Sequence, residues 1–120
     1  MIIGIGCDII EIDRIRKAIK NKAFVERLFT PIEIERSLRF RDPAPYFAGR
    51  FAAKEALSKA LGTGIGSKLS WHSMEIVNNE EGKPFVIWSD EIESRYKIAK
   101  THLSISHSKS TAIAYAIVEA

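Results

Sequence analysis

The feature that most constrains the fold is an alanine-rich segment in the middle of the chain. Residues 46–61 contain five alanines among other good helix formers, with no internal proline. Gly62 follows, and glycine adopts the left-handed backbone that often ends a helix without steric cost. The segment therefore predicts a helix from about Tyr46 to Leu61, followed by a glycine-rich loop.

Apolar segments near both ends of the chain are typical of β-strands. Ile2–Ile10 is rich in isoleucine and broken by two glycines, which predicts a buried strand. Apolar residues alternate with polar ones over His102–His107, and a turn at 108–110 separates this segment from another apolar run, Thr111–Val118. These patterns predict a C-terminal β-hairpin. Two further strands are predicted at Trp71–Val77 and Pro84–Trp88.

Three shorter helices are predicted between the strands. Isoleucines recur at three- and four-residue spacing over 12–19 with basic residues between them, the pattern of an amphipathic helix. Thr30 and Glu33 have capping-box spacing at the start of a helix that we expect to reach about Phe40. The third predicted helix begins at Ser89 or Asp90 and ends at about Lys100. Several strands with few βαβ spacings favour an α+β fold, a small antiparallel sheet packed with helices.

Length and composition narrow the class of protein. A chain of 120 residues predicts a single domain over 1–120. The net charge of +3 is only a weak bias toward anionic partners, and one cysteine allows no internal disulfide. The apolar N-terminal stretch lacks a basic n-region and contains Asp8, so it does not resemble a signal peptide. No apolar run approaches the ~18 residues of a membrane span. We therefore expect a soluble, cytoplasmic protein.

Several familiar motifs are incomplete in this sequence. Gly4 and Gly6 lack the third glycine of a dinucleotide-binding fingerprint, and the glycines at 62, 64 and 66 follow a helix instead of preceding one. There is no G-x-S-x-G nucleophile elbow. The single cysteine and the three histidines do not have the spacing of zinc ligands. These patterns give no support for a dinucleotide enzyme, a serine hydrolase or a zinc protein.

Two acidic residues stand in segments that are otherwise apolar. Asp8 lies in the first predicted strand, where it is either buried at a cost of several kcal/mol or caps the following helix. Glu55 lies in the middle of the alanine-rich helix, where it either faces inward or forms an exposed pair with Lys59. Facing each other across a strand–helix contact, the two carboxylates could hold Mg²⁺, which completes its shell with water and phosphate oxygens.

Basic and polar groups suited to an anion lie near these carboxylates in the predicted fold. Lys59 and Gly62 follow Glu55 by four and seven residues, on the same helix stripe. Arg50 is five residues before Glu55 and belongs to a flanking face. His107 ends a strand beside two serines, where it either contacts phosphate or bonds to its own turn.

Three segments of the chain, in this order, resemble motifs of one enzyme family. They are Gly6–Ile15 (GCDIIEIDRI), Arg50–Gly62 (RFAAKEALSKALG) and Leu103–Ser108 (LSISHS). Together they resemble the holo-acyl-carrier-protein synthases, the short bacterial type of 4′-phosphopantetheinyl transferase, over essentially the whole chain. The resemblance implies an enzyme of fatty acid biosynthesis. It would move phosphopantetheine from coenzyme A to a serine of apo acyl carrier protein and leave adenosine 3′,5′-bisphosphate.

The resemblance also implies roles for individual residues. Asp8 and Glu55 would bind Mg²⁺ and, with Lys59, form the catalytic group. Double-length relatives have a further carboxylate two residues after the first aspartate, where this chain has Ile10, so we expect more water in the metal shell. The serine proton could pass to a metal-oriented water, a carboxylate or a histidine. The family forms α+β homotrimers with active sites between neighbouring subunits. The Gly62–Ser67 loop and Tyr46–Ala48 lie where the family either varies or contributes contacts to a neighbour.

The same resemblance assigns the substrate contacts. Lys59 and His107 would bind coenzyme A phosphates, Arg50 the 3′-phosphate, and the backbone near Gly62 the nucleotide. Arg14 would pair with an acidic residue of the carrier protein. We expect neither nucleic acid nor a membrane as a partner.

Two other functions fit parts of the sequence. A small basic module could bind RNA through the helix after the first strand, although such charge runs are usually solvated surfaces. A coenzyme A-binding protein without transferase activity could use Cys7. The transferase needs Asp8 and Glu55, whereas the nucleic-acid module does not. Only the transferase modifies a carrier protein, which distinguishes it from the nucleic-acid module and from the coenzyme A-binding protein.

Overall fold

The structure is a computed structural model that describes all residues from Met1 to Ala120. The strands are β1 (Ile2–Glu11), β2 (Met74–Asn78), β3 (Pro84–Trp88), β4 (Lys100–His107) and β5 (Thr111–Glu119). The helices are α1 (Ile12–Ala18), α2 (Lys22–Leu28), α3 (Pro31–Ser37), α4 (Ala44–Leu61) and α5 (Asp90–Tyr96), with a 3₁₀-helix at Trp71–Ser73. None of the helices combines the length and apolar character needed to cross a membrane.

The strands form two antiparallel sheets. The larger has the order β1-β5-β4, so that the C-terminal strand lies between the other two. Its register places Asp8 opposite Ala114 on β5, and His107 opposite Ala112. The smaller sheet is the β2-β3 hairpin. The predicted α+β class is confirmed, and its strands are divided between these two sheets.

Helix α4 packs directly on the inner face of the larger sheet, where two glycines of β1 contact it. A Cβ atom at Gly4 would lie 1.7 Å from the carbonyl oxygen of Ala60, and one at Gly6 would lie 1.8 Å from that of Ala56. Real Cβ atoms do not approach backbone this closely, so only glycine permits this contact. The small side chains of α4 are fully or almost fully buried there. This contact therefore fixes the distance between β1 and α4.

Local sequence signals fix several element ends as predicted. The Thr30 hydroxyl accepts a hydrogen bond from Glu33 N–H, and the Glu33 carboxylate accepts one from Thr30 N–H at 2.8 Å, which completes the capping box of α3. Gly62 ends α4 with φ of 75°. The Ser89 side chain caps α5. These ends depend on neighbouring residues alone, which explains why the sequence indicates them.

Other boundaries differ from the sequence expectations. Helix α4 begins at Ala44, two residues before Tyr46, because a proline is tolerated in the first helical turn. Helix α5 ends at Tyr96, where Lys97 has φ of 52°, and Lys100 already belongs to β4. Helix α3 ends before Phe40, and residues 71–73 form a 3₁₀-helix instead of the start of a strand. Helix α2, capped by Asn21, had no counterpart in the prediction.

A buried ion pair joins α4 to the elements on its far side. Lys54 Nζ lies 2.7 Å from Glu33 Oε1, and both side chains are fully buried. The ammonium also donates to the carbonyl oxygens of Leu28 and Trp71, and the Glu33 carboxylate accepts the backbone N–H of Ile76 in β2. Burial lowers the pKa of Lys54, and the Glu33 charge opposes that shift. The pair therefore connects α2, α3, α4, the 3₁₀-helix and β2.

The outer face of the larger sheet is apolar and is not covered by this chain. Side chains alternate along β1, so Ile5 and Ile9 point away from α4 and remain 70% and 63% exposed. Across the register on β5, Tyr115 is 57% and Ile117 37% exposed. We call the face that carries these four side chains the outer sheet face.

Candidate active site

Asp8 and Glu55 meet where β1 crosses α4. Asp8 follows the closely packed Gly6 by two residues and so points to the same face of β1. Its side chain is 17% exposed, and its Oδ1 lies 3.2 Å from Lys59 Nζ. Lys59 also donates to the carbonyl oxygen of Cys7 at 2.9 Å. Asp8 is therefore paired inside the strand and does not cap α1, which begins after Glu11.

The charge on Asp8 acts on Glu55. Burial is the main cause that raises the pKa of Glu55, the nearby Asp8 carboxylate raises it further, and Lys59 partly offsets both. Lys59 forms its ion pair with Asp8, so the exposed Glu55–Lys59 pair considered from the sequence is not formed. Two carboxylates that repel each other across a strand–helix contact are stabilised by a cation placed between them.

The donors at this point fit a magnesium ion. Both are carboxylates that retain some solvent access, and Mg²⁺ takes one or two carboxylates while keeping waters or phosphate oxygens in its shell. No cluster of three or more histidine, cysteine, aspartate or glutamate side chains forms a complete protein cage. The pair is thus suited to a hard cation whose remaining ligands come from water or a phosphate substrate.

Arg50 and His107 line a cavity of about 330 Å³ between α4 and β4. The Arg50 guanidinium lies 4.4 Å from the centre of the Tyr46 ring, and it donates to the side chain of Asn78. Burial is the main cause that lowers the pKa of Arg50. His107 Nδ1 lies 3.3 Å from the carbonyl oxygen of Ser108. His107 therefore contacts its own turn and also lines the cavity.

Gly62 lies one turn beyond Lys59 at the exposed end of α4. Its N–H donates to the carbonyl oxygen of Lys59 at 3.0 Å, and the next two N–H groups of the loop donate to that of Ser58. These amides thus complete the helix C-terminus and are not directed at an anion in this structure. A nucleotide near Gly62 would meet the loop surface and the Lys59 ammonium.

Arg14 projects from α1 into solvent and belongs to no ion pair of the chain. Arg16 differs, because it bonds to both Asp13 and Asp42. The basic face of α1 therefore contains a cation available to a partner next to one that is already neutralised. The position of Arg14 after the Asp8 strand places it at the start of that face.

The thiol of Cys7 does not point into the candidate site. Cys7 lies opposite Tyr115 in the register, on the outer sheet face, and the thiol beside the Tyr115 hydroxyl raises the pKa of Tyr115. Only the backbone carbonyl of Cys7 contacts Lys59. A coenzyme A-binding role through this cysteine therefore has no support in the geometry.

Sequence reasoning missed one polar contact of the candidate site. Asn78 directly follows the predicted strand Trp71–Val77, yet its side chain bonds to Arg50, 28 residues earlier in the chain. No local pattern indicates a contact at that separation. The nearest signal was the position of Asn78 at the end of an apolar strand that approaches the alanine-rich helix.

Comparison with known proteins identifies the family. A sequence profile of the 4′-phosphopantetheinyl transferase superfamily matches residues 4–116. The chain belongs to this superfamily. The family resemblance found in the three motifs is therefore confirmed.

Individual relatives match over almost the whole chain. A holo-[acyl-carrier-protein] synthase of Chlorobaculum parvum is 50% identical over 117 residues, which cover 96% of this chain and 97% of that protein. One of Clostridium perfringens is 48% identical over 127 residues, which cover 99% and 95%.

Solved structures show the same fold. The crystal structure of a Bacillus anthracis holo-(acyl-carrier-protein) synthase in complex with CoA (3′,5′-ADP) matches with a TM-score of 0.86 and 43% identity, covering 98% of this chain and 96% of that one. The Neisseria meningitidis synthase matches with a TM-score of 0.92 and 35% identity, and the match covers 100% of both chains.

Proposed function

We propose that residues 1–120 form one phosphopantetheinyl transferase domain, a holo-acyl-carrier-protein synthase. It transfers 4′-phosphopantetheine from coenzyme A to a serine of apo acyl carrier protein and releases adenosine 3′,5′-bisphosphate. The holo carrier protein that it forms serves fatty acid biosynthesis in the cytoplasm. The observation that carries the proposal is the meeting of Asp8, Glu55 and Lys59 at one strand–helix contact. The relatives at 45–50% identity, named for this activity, support it.

The three side chains would have different roles in the transfer. Attack of a serine hydroxyl on a pyrophosphate requires positioning and stabilisation of charge on the phosphate oxygens. Asp8 and Glu55 would hold Mg²⁺, which when bound supplies that charge stabilisation. The Lys59 ammonium, 3.2 Å from Asp8, would bind a phosphate oxygen beside them. No covalent intermediate with the protein is needed.

The cavity lined by Arg50 and His107 would take the 3′-phosphate end of coenzyme A. Arg50 has no acidic partner in any ion pair of the chain, and the Asp42 carboxylate that also lines the cavity is paired with an arginine of α1. The charge of Arg50 is therefore available to an anion. His107 lines the same cavity and adds hydrogen-bonding nitrogens. Gly62 and the loop that follows α4 would contact the nucleotide on the side of Lys59.

The transfer assay tests the assignment of the carboxylates. Apo carrier protein, coenzyme A and Mg²⁺ are mixed with the enzyme, and the mass gain of the carrier protein is followed. We expect Asp8→Asn and Glu55→Gln each to lower the rate by about 10³-fold, because several kcal/mol of transition-state charge stabilisation are lost.

A matched control for these variants is Glu91→Gln, which removes an exposed carboxylate paired with Arg95 on α5. It should retain the wild-type rate. Thermal unfolding verifies that the two site variants remain folded, as expected for isosteric changes. A wild-type rate and magnesium dependence in either site variant would contradict the metal assignment.

We also propose that the outer sheet face associates with other copies of this chain, in the homotrimer that the family resemblance implies. An exposed apolar sheet face of this extent is typical of an interface between protein chains. Ile5 and Ile117 lie opposite each other in the register, so they form one continuous apolar surface with their neighbours. Active sites between subunits would then receive residues from two chains.

Arg14 is proposed to orient the acidic carrier protein. We expect Arg14→Glu to raise the carrier-protein KM at least tenfold at low salt and to leave coenzyme A binding unchanged, because complementary charge mainly affects encounter and orientation. Kinetics with varied carrier protein at two ionic strengths measure this effect.

Lys20→Glu is the comparison variant, since Lys20 lies beyond the end of α1, farther from Asp8 in the chain. Its effect should be smaller and should disappear at high salt, where exposed charges are screened. Wild-type kinetics of Arg14→Glu at low salt would place carrier docking elsewhere. Tight, salt-sensitive RNA binding without carrier modification would favour the nucleic-acid module.

A further inference from the structure

The guanidinium of Arg50 is buried without a negative partner. Arg50 is only 7% exposed, and its Nε has no hydrogen-bond partner. None of the ion pairs of the chain includes Arg50. An unneutralised buried cation is unfavourable unless an anion joins it. The environment of Arg50 is thus suited to receive an anion from outside the chain.

The two groups that orient this guanidinium are both neutral. Tyr46 lies against its face at 4.4 Å, and the Asn78 side-chain oxygen accepts a hydrogen bond from one terminal nitrogen. The Tyr46 hydroxyl is itself fixed by donation to the carbonyl oxygen of Glu33 at 2.7 Å. Tyr46 and Asn78 together restrict the orientation of Arg50 and leave its charge intact.

Asn78 is itself fixed from two sides. Its amide nitrogen donates to the carbonyl oxygen of Gly82 across the β2-β3 turn at 2.7 Å. Two residues earlier on β2, the Ile76 N–H donates to the buried Glu33 carboxylate at 2.8 Å. The ion pair of Glu33 with Lys54 thus ties the strand that carries Asn78 to the helix that carries Arg50.

We infer that Asn78 is a positioning residue for anion recognition, which orients Arg50 at the cavity shared with His107 while leaving its charge free. The ligand class is a phosphate monoester on a nucleotide. The identification of this group as the 3′-phosphate of coenzyme A rests on the proposed function. An aspartate at this position would lose the hydrogen bond to Gly82 and would neutralise Arg50, so both ends of the amide are needed for the role.

The test compares the binding of adenosine 3′,5′-bisphosphate with that of adenosine 5′-monophosphate, measured by calorimetry on the full chain. The ratio of the two dissociation constants reports recognition of the 3′-phosphate alone. We expect Asn78→Asp to lower the preference for the bisphosphate by about tenfold or more, as for a lost charge-assisted hydrogen bond. Asn78→Ala should lower it less, because the charge of Arg50 is retained.

Asn79→Ala is the matched control. The Asn79 side chain accepts hydrogen bonds from the N–H groups of Glu81 and Lys83 in the same turn and makes none to Arg50. The Asn79→Ala substitution should weaken the turn but keep the wild-type preference for the bisphosphate. This result would separate positioning of Arg50 from general damage to the hairpin.

Several results would overturn the inference. One is an unchanged preference of Asn78→Asp for the bisphosphate over the monophosphate. Another is a loss of that preference in Asn79→Ala equal to the loss in Asn78→Asp. The third is a wild-type protein that does not prefer the bisphosphate. The proposed function fails differently, through a wild-type protein that prefers the bisphosphate but transfers nothing to carrier protein. That last result would leave the role of Asn78 supported.

Discussion

Lys54→Met is expected to lower the free energy of unfolding by about 3–5 kcal/mol, the usual cost of removing one partner of a buried ion pair. The Lys54 ammonium satisfies the Glu33 carboxylate and the carbonyl oxygens of Leu28 and Trp71 in a fully buried location. Methionine fills a similar volume but leaves a buried charge and two carbonyls without their donor. Urea-induced unfolding followed by circular dichroism measures the change.

Lys59→Met provides the control, because it makes the same substitution on the same helix at a side chain that is 52% exposed. Its stability should change by less than about 1 kcal/mol, as for exposed ion pairs, while its transferase rate falls sharply. The double variant Lys54→Met/Glu33→Gln should recover part of the lost stability, because no buried charge remains. Equal destabilisation by the two lysine variants would refute the structural role of the Lys54–Glu33 pair.

Gly6→Ala is expected to reduce transferase activity by at least about 10²-fold, the effect of a misplacement near 1 Å in a catalytic group. The added Cβ would lie 1.8 Å from the carbonyl oxygen of Ala56, which is backbone and cannot rotate away. Strand β1 must therefore move off α4 and carry Asp8 away from Glu55. The transfer assay and thermal unfolding, measured together, separate displacement of the site from complete loss of the fold.

Gly66→Ala is the matched glycine variant. A Cβ at Gly66 meets nothing within 4 Å, and its φ does not lie in the left-handed range. Stability should remain close to that of the wild type, because the added Cβ meets neither a steric contact nor backbone strain. If Gly6→Ala also behaves like the wild type, close contact of β1 with α4 is not what places the carboxylates.

The sequence predicts those parts of the fold that depend on neighbouring residues. Alanine content and a terminal glycine predicted α4, and the capping pattern at Thr30 predicted the start of α3. Helix α2 was missed because its cap, Asn21, begins a segment without a clear apolar period. The division of the strands into two sheets depends on which edges meet in space, and no short pattern contains that information.

In the candidate active site, too, contacts between distant parts of the chain could not be predicted from local patterns. The spacing of Glu55 and Lys59 correctly places both on one stripe of α4, but it also suggested that they pair with each other. In the structure Lys59 turns to Asp8, which is 51 residues distant in the chain. The residues alone predict that Asp8 and Glu55 face each other with Lys59 nearby, and the motif resemblance assigns all three to one catalytic group. The contact of Arg50 with Asn78 is indicated by no local pattern, and Asn78 lies outside all three family motifs.

The central position of β5 has a consequence for how the protein folds. Residue 2 on β1 pairs with residue 119 on β5, so the larger sheet is closed by contacts between segments far apart in sequence. Such contacts form late, because the entropy of closing a long loop must be overcome before they contribute. During synthesis, Asp8 emerges early but gains its strand partner only when the C-terminal hairpin emerges. We therefore expect the helical segments to form first and the Asp8–Glu55 pair to assemble in the last stage of folding.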